Sequence, residues 1–117
     1  PHLQAVGGSI VNITSVAGLQ GHGSSIPYAA SKAAVNCMTK SLARAFGPKV
    51  RVNAVAPGPV LTRWLTDHMD HVARSLSITP MGRAAVPEDI ADAVIFLALG
   101  TSLMTGQVVV VDGGRTM

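Results

Sequence analysis

The sequence has one cysteine and almost no aromatic side chains. Cys37 stands alone among 117 residues, which excludes an internal disulfide framework and favours a reducing, cytoplasmic compartment. Aromatic residues make up only 3% of the chain, so aliphatic side chains must fill the core. Because single-stranded sites bind bases by stacking them on aromatic rings, and because no run of basic residues is present, we expect no nucleic-acid partner.

Long apolar runs are also missing. No stretch approaches the roughly 20 residues that span a bilayer, and no basic segment leads into an apolar run with a small-residue cleavage site, so we expect neither a membrane partner nor a secretory signal. The composition, 48% hydrophobic and 13% charged, excludes a disordered chain. The length suits one small domain or part of a larger one. The first residue is Pro1 and not Met, which indicates either that preceding residues were removed or never recorded, or that the initiator methionine was processed.

Acidic side chains are absent before Asp67. The basic residues that precede it are Lys32, Lys40, Arg44, Lys49, Arg51 and Arg63. This asymmetry can attract an anionic ligand. It also arises when the acidic partners of these side chains lie in another part of the fold, and we favour this second interpretation.

Three short segments rich in β-branched residues alternate with two long helical patterns. The pattern predicts strands over 9–14, 50–56 and 107–111, and helices over 27–46 and 87–99. Strands that are apolar throughout are typical of a parallel sheet covered by helices on both faces. We predict an α/β fold built on a parallel sheet, and we expect the chain to be part of a larger domain. The first strand of so thin a sheet would leave a bare edge.

The only tyrosine is followed by a lysine at the spacing of one helical turn. Tyr28 and Lys32 are four residues apart in a predicted helix, so their Cβ atoms lie about 5–6 Å apart on one face. A phenol titrates at about pH 10, but a neighbouring ammonium stabilises its phenolate form. The pair therefore suits general acid–base catalysis. The alternative is a tyrosine that packs its ring near a helix start, with an unrelated lysine one turn away.

Five segments together resemble the short-chain dehydrogenase/reductase family. "SIVNITSVAG" at 9–18 is similar to the family's strand and loop with the active-site serine, and "YAASK" at 28–32 to its Tyr-x-x-x-Lys. "VRVNAVAPGPVLT" at 50–62 is similar to its strand followed by Pro-Gly. "PEDIADAVIFLA" at 87–98 and "TGQVVVVDGG" at 105–114 resemble its closing helix, strand and turn. Their order and spacing make the resemblance specific over almost the whole chain.

The resemblance implies that 1–117 is the C-terminal part of a single Rossmann-like, doubly wound domain. It also implies an NAD(P)-dependent oxidoreductase that interconverts an alcohol and a ketone, with NAD or NADP as cofactor. Ser15, thirteen residues before Tyr28, would hydrogen-bond the substrate oxygen, with Thr14 as the less favoured neighbouring hydroxyl. Tyr28 would donate or accept the proton and would also be one of the cofactor-binding residues. Lys32 would stabilise the phenolate and hold the nicotinamide ribose hydroxyls. The further cofactor-binding positions would be Pro57 and Gly58 beside the nicotinamide, Val60 at its carboxamide, and Thr62 near the phosphates or carboxamide.

The first half of the family pattern has no counterpart here. The chain lacks a glycine-rich fingerprint between a strand and a helix, an Asn-Ala-Gly segment, and the relay asparagine that should precede Ser15. We therefore expect the N-terminal nucleotide-binding half to be absent. Two possibilities follow: the chain belongs to an active enzyme with a small carbonyl or alcohol substrate, or it is a non-catalytic fragment that cannot bind the dinucleotide by itself.

Other segments are less informative. "GLQGHG" at 18–23 has its glycines in the wrong order for a dinucleotide fingerprint and fits a substrate-side loop, where His22 either touches substrate or is solvated. "DHMDH" at 67–71 is more typical of a solvated helix face than of a metal site, so no metal is expected. Four apolar residues either line a pocket or anchor this segment on the core: Trp64, Leu65, Met69 and Leu76.

The middle of the long helix and the last turn give three smaller expectations. We expect Cys37 to be buried, and Asp112 to be a turn residue. A face of small residues suits close packing, and the family resemblance implies that this face meets a second subunit in a homodimer or homotetramer. Its members are Ala30, Ala33, Ala34 and Ser41.

Overall fold

The computed structural model describes residues 1–66 and 69–117, with residues 64, 66 and 69–71 described by backbone only. The elements in chain order are α1 His2–Val6, β1 Ser9–Ile13, α2 Ala17–Gln20, α3 Ile26–Phe46, β2 Arg51–Pro57, α4 Arg63–Thr66, α5 Met69–Ser77, α6 Pro87–Leu99 and β3 Val108–Val111. The predicted strands and long helices are confirmed to within one residue at each end. A short helix, α2, also forms in the segment 15–27, for which the sequence predicted a loop. Between residues 60 and 83 the sequence allowed either an irregular excursion or short helices, and the structure has the short helices α4 and α5.

The three strands form one parallel sheet in the order β1-β2-β3, which confirms the predicted α/β class. Ile13 pairs with Val55, and Val55 pairs with Val109. The central strand is almost completely buried, because helices and neighbouring strands surround it, whereas β1 lies at the edge as expected. In a parallel sheet the carboxyl ends of all strands lie at the same end of the sheet, so the segments that follow β1 and β2 lie side by side.

The long helix α3 begins and ends where the sequence places its signals. The Ser25 hydroxyl accepts a hydrogen bond from the Tyr28 N–H at 3.3 Å, Pro27 occupies the first turn, and Gly47 follows the last residue. The buried residues of the helix are Ala29, Asn36, Thr39 and Ala43. This spacing of three, four or seven residues defines one stripe that faces the sheet.

Cys37 is exposed, so the prediction that it is buried was wrong. The residue directly follows Asn36 on the buried stripe, and one residue turns an α-helix by roughly 100°. That rotation carries Cys37 to the outer face of α3. The predicted small-residue face, Ala30, Ala33, Ala34 and Ser41, is exposed there as well.

The segment between β2 and α6 has a small apolar cluster of its own. Leu65 on α4 is buried with Val72 on α5 and Ala84, and Leu76 packs against them. Leu65 and Leu76 therefore anchor the segment. The predicted alternative of a metal site relied on His68 with His71, and His68 lies outside the described residues. Within residues 1–66 and 69–117 no three metal-ligating side chains come together.

The first turn of α6 is fixed by Asp89. Its Oδ2 accepts from the Val86 N–H at 2.8 Å, and both carboxylate oxygens bond the Arg83 guanidinium, at 2.6 and 2.8 Å. The hydrogen bond from Arg83, then that from the Val86 N–H, hold the pKa of Asp89 well below its usual range. Because the ionised carboxylate makes these bonds, their contribution is present above about pH 4 and is lost as the pH falls further.

The C-terminus of α6 is fixed by a side chain of the sheet. The Arg51 guanidinium donates to the carbonyl oxygens of Leu97 at 2.7 Å and Ala98 at 2.8 Å, and the Ser9 hydroxyl donates to Ala98 at 3.1 Å. The last carbonyls of a helix have no partner within it, and a cation there also complements the helix dipole. Arg51 thus joins α6 to the middle of the sheet. None of the described helices is long and apolar enough to cross a membrane.

Replacing this arginine should uncouple the helix from the sheet. We expect Arg51→Met to lower the free energy of unfolding by about 2 kcal/mol, because two charge-assisted hydrogen bonds are lost and the Leu97 carbonyl loses its side-chain partner, while Ala98 keeps only its bond from Ser9. Urea denaturation followed by far-ultraviolet circular dichroism measures this. Arg44→Met, at an exposed position of α3, is the matched control and should change the value by less than about 0.5 kcal/mol. Equal effects of the two substitutions would contradict the assignment.

Candidate active site

Ser15 lies just beyond the carboxyl end of β1. Its Oγ accepts a hydrogen bond from the Ala17 N–H at 3.2 Å, and its carbonyl accepts from the Gly18 N–H at 3.0 Å, so the residue opens the short helix α2. A serine hydroxyl has one donor and two acceptor positions. Because the backbone N–H uses one acceptor position, the O–H remains able to donate to a ligand oxygen.

Two hydrogen bonds tie the end of β1 to the helix that carries Tyr28. The Thr14 hydroxyl, on a residue only 2% exposed, donates to the Lys32 carbonyl at 3.0 Å. In return, the Lys32 Nζ donates to the Ile13 carbonyl at 3.1 Å. Thr14 thus has a structural partner, which makes it less suitable than Ser15 to meet a ligand and agrees with the preference predicted from the sequence.

Gly18 allows α2 to lie directly against α3. A Cβ at this position would sit 2.5 Å from the Lys32 carbonyl carbon and 2.7 Å from the Ala33 nitrogen. Both neighbours are backbone atoms of a long helix and cannot move aside. The Asn36 side chain adds a hydrogen bond from Nδ2 to the Gly18 carbonyl at 3.2 Å. The absence of a side chain at Gly18 therefore sets how closely the Ser15 loop approaches α3.

The Tyr28 ring faces this loop. A Cβ built on Gly23 would lie 2.9 Å from the Ala17 Cβ and 3.3 Å from the Tyr28 Cδ1, so Gly23 fills the space between the loop and the ring. The Lys32 Nζ lies 5.7 Å from the centre of the Tyr28 ring, within the range of a cation–π interaction. Tyr28 is 38% exposed, and none of the described residues bonds to its hydroxyl. The phenol is therefore accessible to a ligand.

The segment after β2 lies beside the Ser15 loop. The Val16 N–H donates to the Pro57 carbonyl at 3.1 Å, which joins the two strand ends. The Gly58 N–H donates to the Val111 carbonyl at 3.0 Å, which adds the end of β3. The carboxyl ends of all three strands thus meet at the end of the sheet where open parallel sheets bind ligands.

Val60 makes an isolated parallel bridge with Ala85. The bridge uses the carbonyl of Pro59, at 3.0 Å, and the N–H of Leu61, at 2.8 Å. The peptide groups of Val60 itself therefore point away from Ala85. Thr62, by contrast, is exposed, and its carbonyl accepts from the Leu65 N–H at 2.9 Å. No hydrogen bond among the described residues ties the Thr62 side chain to the other predicted site residues.

Asp112 is the turn residue that the sequence predicts. Its carboxylate accepts from the Gly114 N–H, the Thr116 N–H and the Thr116 hydroxyl, at 2.9, 2.9 and 2.7 Å. Burial opposes ionisation, but the hydrogen bonds from the hydroxyl and from backbone N–H groups outweigh it, so the pKa of Asp112 lies below its ordinary value. A Cβ on Gly58 would lie 2.8 Å from the Asp112 Cβ. The turn and the Pro57-Gly58 segment are thus in close contact.

The structure brings some of the sequence-predicted residues together and adds others. Tyr28 and Lys32 lie beside the loop that starts at Ser15, Pro57 is bonded to that loop, and His22 is exposed in it. The sequence reasoning assigned no role to Asn36 and interpreted Gly18 and Gly23 only as loop residues. The signal for Asn36 was present, since a polar residue falls midway between Ala29 and Ala43 on one helical stripe.

Comparison with known proteins identifies the family. A family model described as enoyl-(acyl carrier protein) reductase matches residues 1–116. The short-chain dehydrogenase/reductase homolog YusR of Bacillus subtilis is 44% identical over 110 residues, a match that covers 94% of this chain and 84% of that protein. The chain belongs to the short-chain dehydrogenase/reductase family.

Solved structures of this family match the fold closely. A 3-oxoacyl-[acyl-carrier protein] reductase of Brucella melitensis superposes with a TM-score of 0.92 at 38% identity, over 100% of this chain and 46% of that one. The structure of ElxO with NADP bound gives a TM-score of 0.85 at 39% identity, over 97% of this chain and 49% of that one. Apart from YusR, the chain spans about half the length of the curated relatives it matches.

The close contact at Gly18 makes a direct prediction. Gly18→Ala should lower the free energy of unfolding by about 3 kcal/mol, because the added methyl overlaps backbone atoms of α3. Gly21→Ala, in the same loop, is the matched control: its Cβ would meet open space, and only the left-handed φ of 74° costs about 1 kcal/mol. Chemical denaturation of both variants measures the difference. A smaller loss for Gly18→Ala than for Gly21→Ala would contradict the packing described.

Proposed function

We propose that residues 1–117 form the C-terminal, catalytic and substrate-side part of a single Rossmann-like domain, in an NAD(P)-dependent oxidoreductase that interconverts an alcohol and a ketone. The observation that carries the proposal is the position of Lys32, whose amine lies 5.7 Å from the Tyr28 ring and bonds the end of β1 directly before the Ser15 loop. The Tyr28 phenol, the Lys32 ammonium and the Ser15 hydroxyl then lie together at the carboxyl end of the sheet.

These three side chains suit proton transfer to a carbonyl oxygen. In the direction of reduction, the Ser15 hydroxyl donates a hydrogen bond to the substrate oxygen and polarises the carbonyl. The Tyr28 hydroxyl gives its proton to the same oxygen as negative charge develops there, so the alcohol forms and a phenolate remains. The nearby Lys32 ammonium stabilises that phenolate. In the direction of oxidation the phenolate takes the proton from the alcohol.

The described residues also fit a nicotinamide cofactor. A lysine ammonium has three donors, and the bond to the Ile13 carbonyl uses one, so two remain for ribose hydroxyls. Pro57 and Gly58 place backbone with little side-chain bulk at the same end of the sheet. The peptide groups of Val60 that point away from Ala85 suit a carboxamide, which has both a donor and an acceptor. Thr62 lies on the same segment and would contact the cofactor there. The bound cofactor would supply or accept the hydride.

The relatives support this choice of cofactor and chemistry without selecting the substrate. ElxO binds NADP, and several curated relatives are named 3-oxoacyl-[acyl-carrier-protein] reductases, 3alpha-hydroxysteroid dehydrogenase and trans-4-hydroxycyclohexanecarboxylate dehydrogenase. All these names fit interconversion of a hydroxyl and a carbonyl group. We propose either NAD or NADP as cofactor and a small carbonyl or alcohol compound as substrate.

A second candidate is a non-catalytic fragment that cannot bind the dinucleotide alone. The observation that favours it is the open edge of β1: only alternate peptide groups of this strand bond β2, and those of Ser9 and Val11 face away from it. An unpaired edge of this kind suits pairing with a further strand. The two candidates differ in whether 117 residues bind NAD(P) without further chain.

We also propose a homodimer or homotetramer assembled on the outer face of α3. Ala30, Ala33, Ala34 and Ser41 are exposed there, and Met38 is 46% exposed beside them. Small side chains let two helices approach closely. The single cysteine, exposed and unpaired, suits a reducing environment, which supports a cytoplasmic location.

The acid–base role of Tyr28 predicts a specific kinetic defect. In the complete gene product, Tyr28→Phe should lower kcat for carbonyl reduction by about 10²- to 10⁴-fold, because only the proton donor is removed, while NADPH binding changes little. Steady-state rates with a panel of ketones and fluorescence titration of NADPH measure the two effects. Lys49→Met, at an exposed position between α3 and β2, is the control and should keep the parent rate. Activity of Tyr28→Phe close to that of the parent would refute the role.

The fragment alternative has its own test. We expect the isolated 117-residue chain to bind NADH and NADPH weakly, with dissociation constants above the micromolar range, because the residues that would contact the adenosine half have no counterpart here. Fluorescence titration of the purified chain measures the binding, with the complete gene product as the reference. Micromolar binding by the isolated chain would rule out the fragment alternative.

A further inference from the structure

Asn36 has an unusual environment for a buried amide. The residue is 8% exposed on the sheet-facing stripe of α3, and its Nδ2 donates to the Gly18 carbonyl at 3.2 Å. Its Oδ1 is also buried but has no hydrogen-bond partner among the described residues. The amide must point its NH2 group at Gly18, because the Gly18 carbonyl oxygen can only accept a hydrogen bond. A purely structural residue would be better replaced by an apolar one, because an unsatisfied buried acceptor lowers stability.

The hydrogen bond from the Asn36 side chain to Gly18 connects Asn36 with Ser15. The Gly18 carbonyl is held by Asn36, and the N–H of the same glycine donates to the Ser15 carbonyl at 3.0 Å. The Ser15 Oγ is held in turn by the Ala17 N–H at 3.2 Å. The backbone of Ala17 and Gly18, in one tight turn, therefore connects the Asn36 amide with the serine hydroxyl.

We propose that Asn36 is a positioning residue that acts through Gly18 to hold the Ser15 hydroxyl where it meets the substrate oxygen. This inference rests on the proposed function, and it assigns a role to a residue outside the Ser15, Tyr28 and Lys32 group. Asn36 follows Lys32 by four residues, one helical turn, so the two side chains are neighbours on one face of α3. The helix that carries the proton donor thus also fixes the loop that carries the hydrogen-bond donor.

Removal of the amide should affect Ser15 and leave the fold intact. Asn36→Leu keeps the approximate shape and removes the unsatisfied acceptor, but it also leaves the Gly18 carbonyl without its hydrogen bond. Because these two effects oppose each other, its urea midpoint should stay close to that of the parent. In the complete gene product we expect kcat for carbonyl reduction to fall about 10-fold, because small misplacements of a catalytic group are costly. The KM for NADPH should stay within about twofold of the parent.

A double-mutant cycle separates positioning from general damage. In a Ser15→Ala background, Asn36→Leu should lower kcat by less than about twofold further, since the group it positions is gone. Thr39→Val is the matched control: Thr39 is buried one turn along the same stripe, and its hydroxyl bonds Asn12 and Val35, far from the loop. Its effect should be the same in both backgrounds. An equal effect of Asn36→Leu in both backgrounds would overturn the proposal.

A measurement without catalysis judges the same proposal independently. Amide hydrogen exchange at Ala17 and Gly18 should be about 10-fold faster in Asn36→Leu than in the parent or in Thr39→Val, because the turn loses its outer hydrogen bond. Unchanged exchange would overturn the proposal even if kcat falls. If the parent protein reduces no carbonyl compound, the proposed function fails, while the exchange rates still decide whether Asn36 holds the turn.

A second variant covers the case in which Asn36→Leu does not fold. Asn36→Asp has the same shape, but its carboxyl donates to the Gly18 carbonyl only when protonated. Its kcat relative to the parent should therefore fall as the pH rises through the pKa of the new carboxyl. A ratio independent of pH would count against the hydrogen bond to Gly18 as the origin of the effect.

Discussion

The contact between Gly18 and the backbone of α3 is the constraint on which the site depends. A Cβ at Gly18 would lie 2.5 Å from the Lys32 carbonyl carbon, so only glycine lets the chain after β1 reach the helix. Backbone atoms of a 21-residue helix cannot yield to a side chain as a flexible neighbour would. Two hydrogen bonds complete this junction between the end of β1 and α3. The Thr14 hydroxyl donates to the Lys32 carbonyl, and the Lys32 Nζ donates to the Ile13 carbonyl.

This junction explains how separate pieces of sequence form one site. A parallel sheet places the carboxyl ends of β1, β2 and β3 at the same end of the sheet, but it does not determine their distance from the covering helix. The Gly18 contact sets that distance for the Ser15 loop, and the bond from Val16 to Pro57 sets the position of the segment after β2 relative to the same loop. The Ser25 cap fixes the start of the helix that carries Tyr28.

Much of this could be predicted from the sequence, and the rest could not for physical reasons. Apolar β-branched strands, a serine cap and a glycine stop specify their elements locally, so strands and long helices were confirmed to within a residue. Cys37 was predicted to be buried because cysteine usually is, but burial depends on helix phase, and Asn36 occupies the sheet-facing position. The roles of Gly18 and Asn36 arise from contacts across 14 to 18 residues, which no local pattern encodes. The assigned roles of Ser15, Tyr28 and Lys32 stay predictions.

The central claim is that the Ser15 and Tyr28 hydroxyls meet at one substrate oxygen. The most direct test is a crystal structure of the complete gene product with a nicotinamide cofactor and a bound ketone or alcohol. The account predicts that the Ser15 Oγ and the Tyr28 Oη both lie about 2.6–3.2 Å from the same ligand oxygen, with the Lys32 ammonium beside the phenol. A complex in which the two hydroxyls contact different atoms, or in which the ligand lies away from the end of β1, would contradict it.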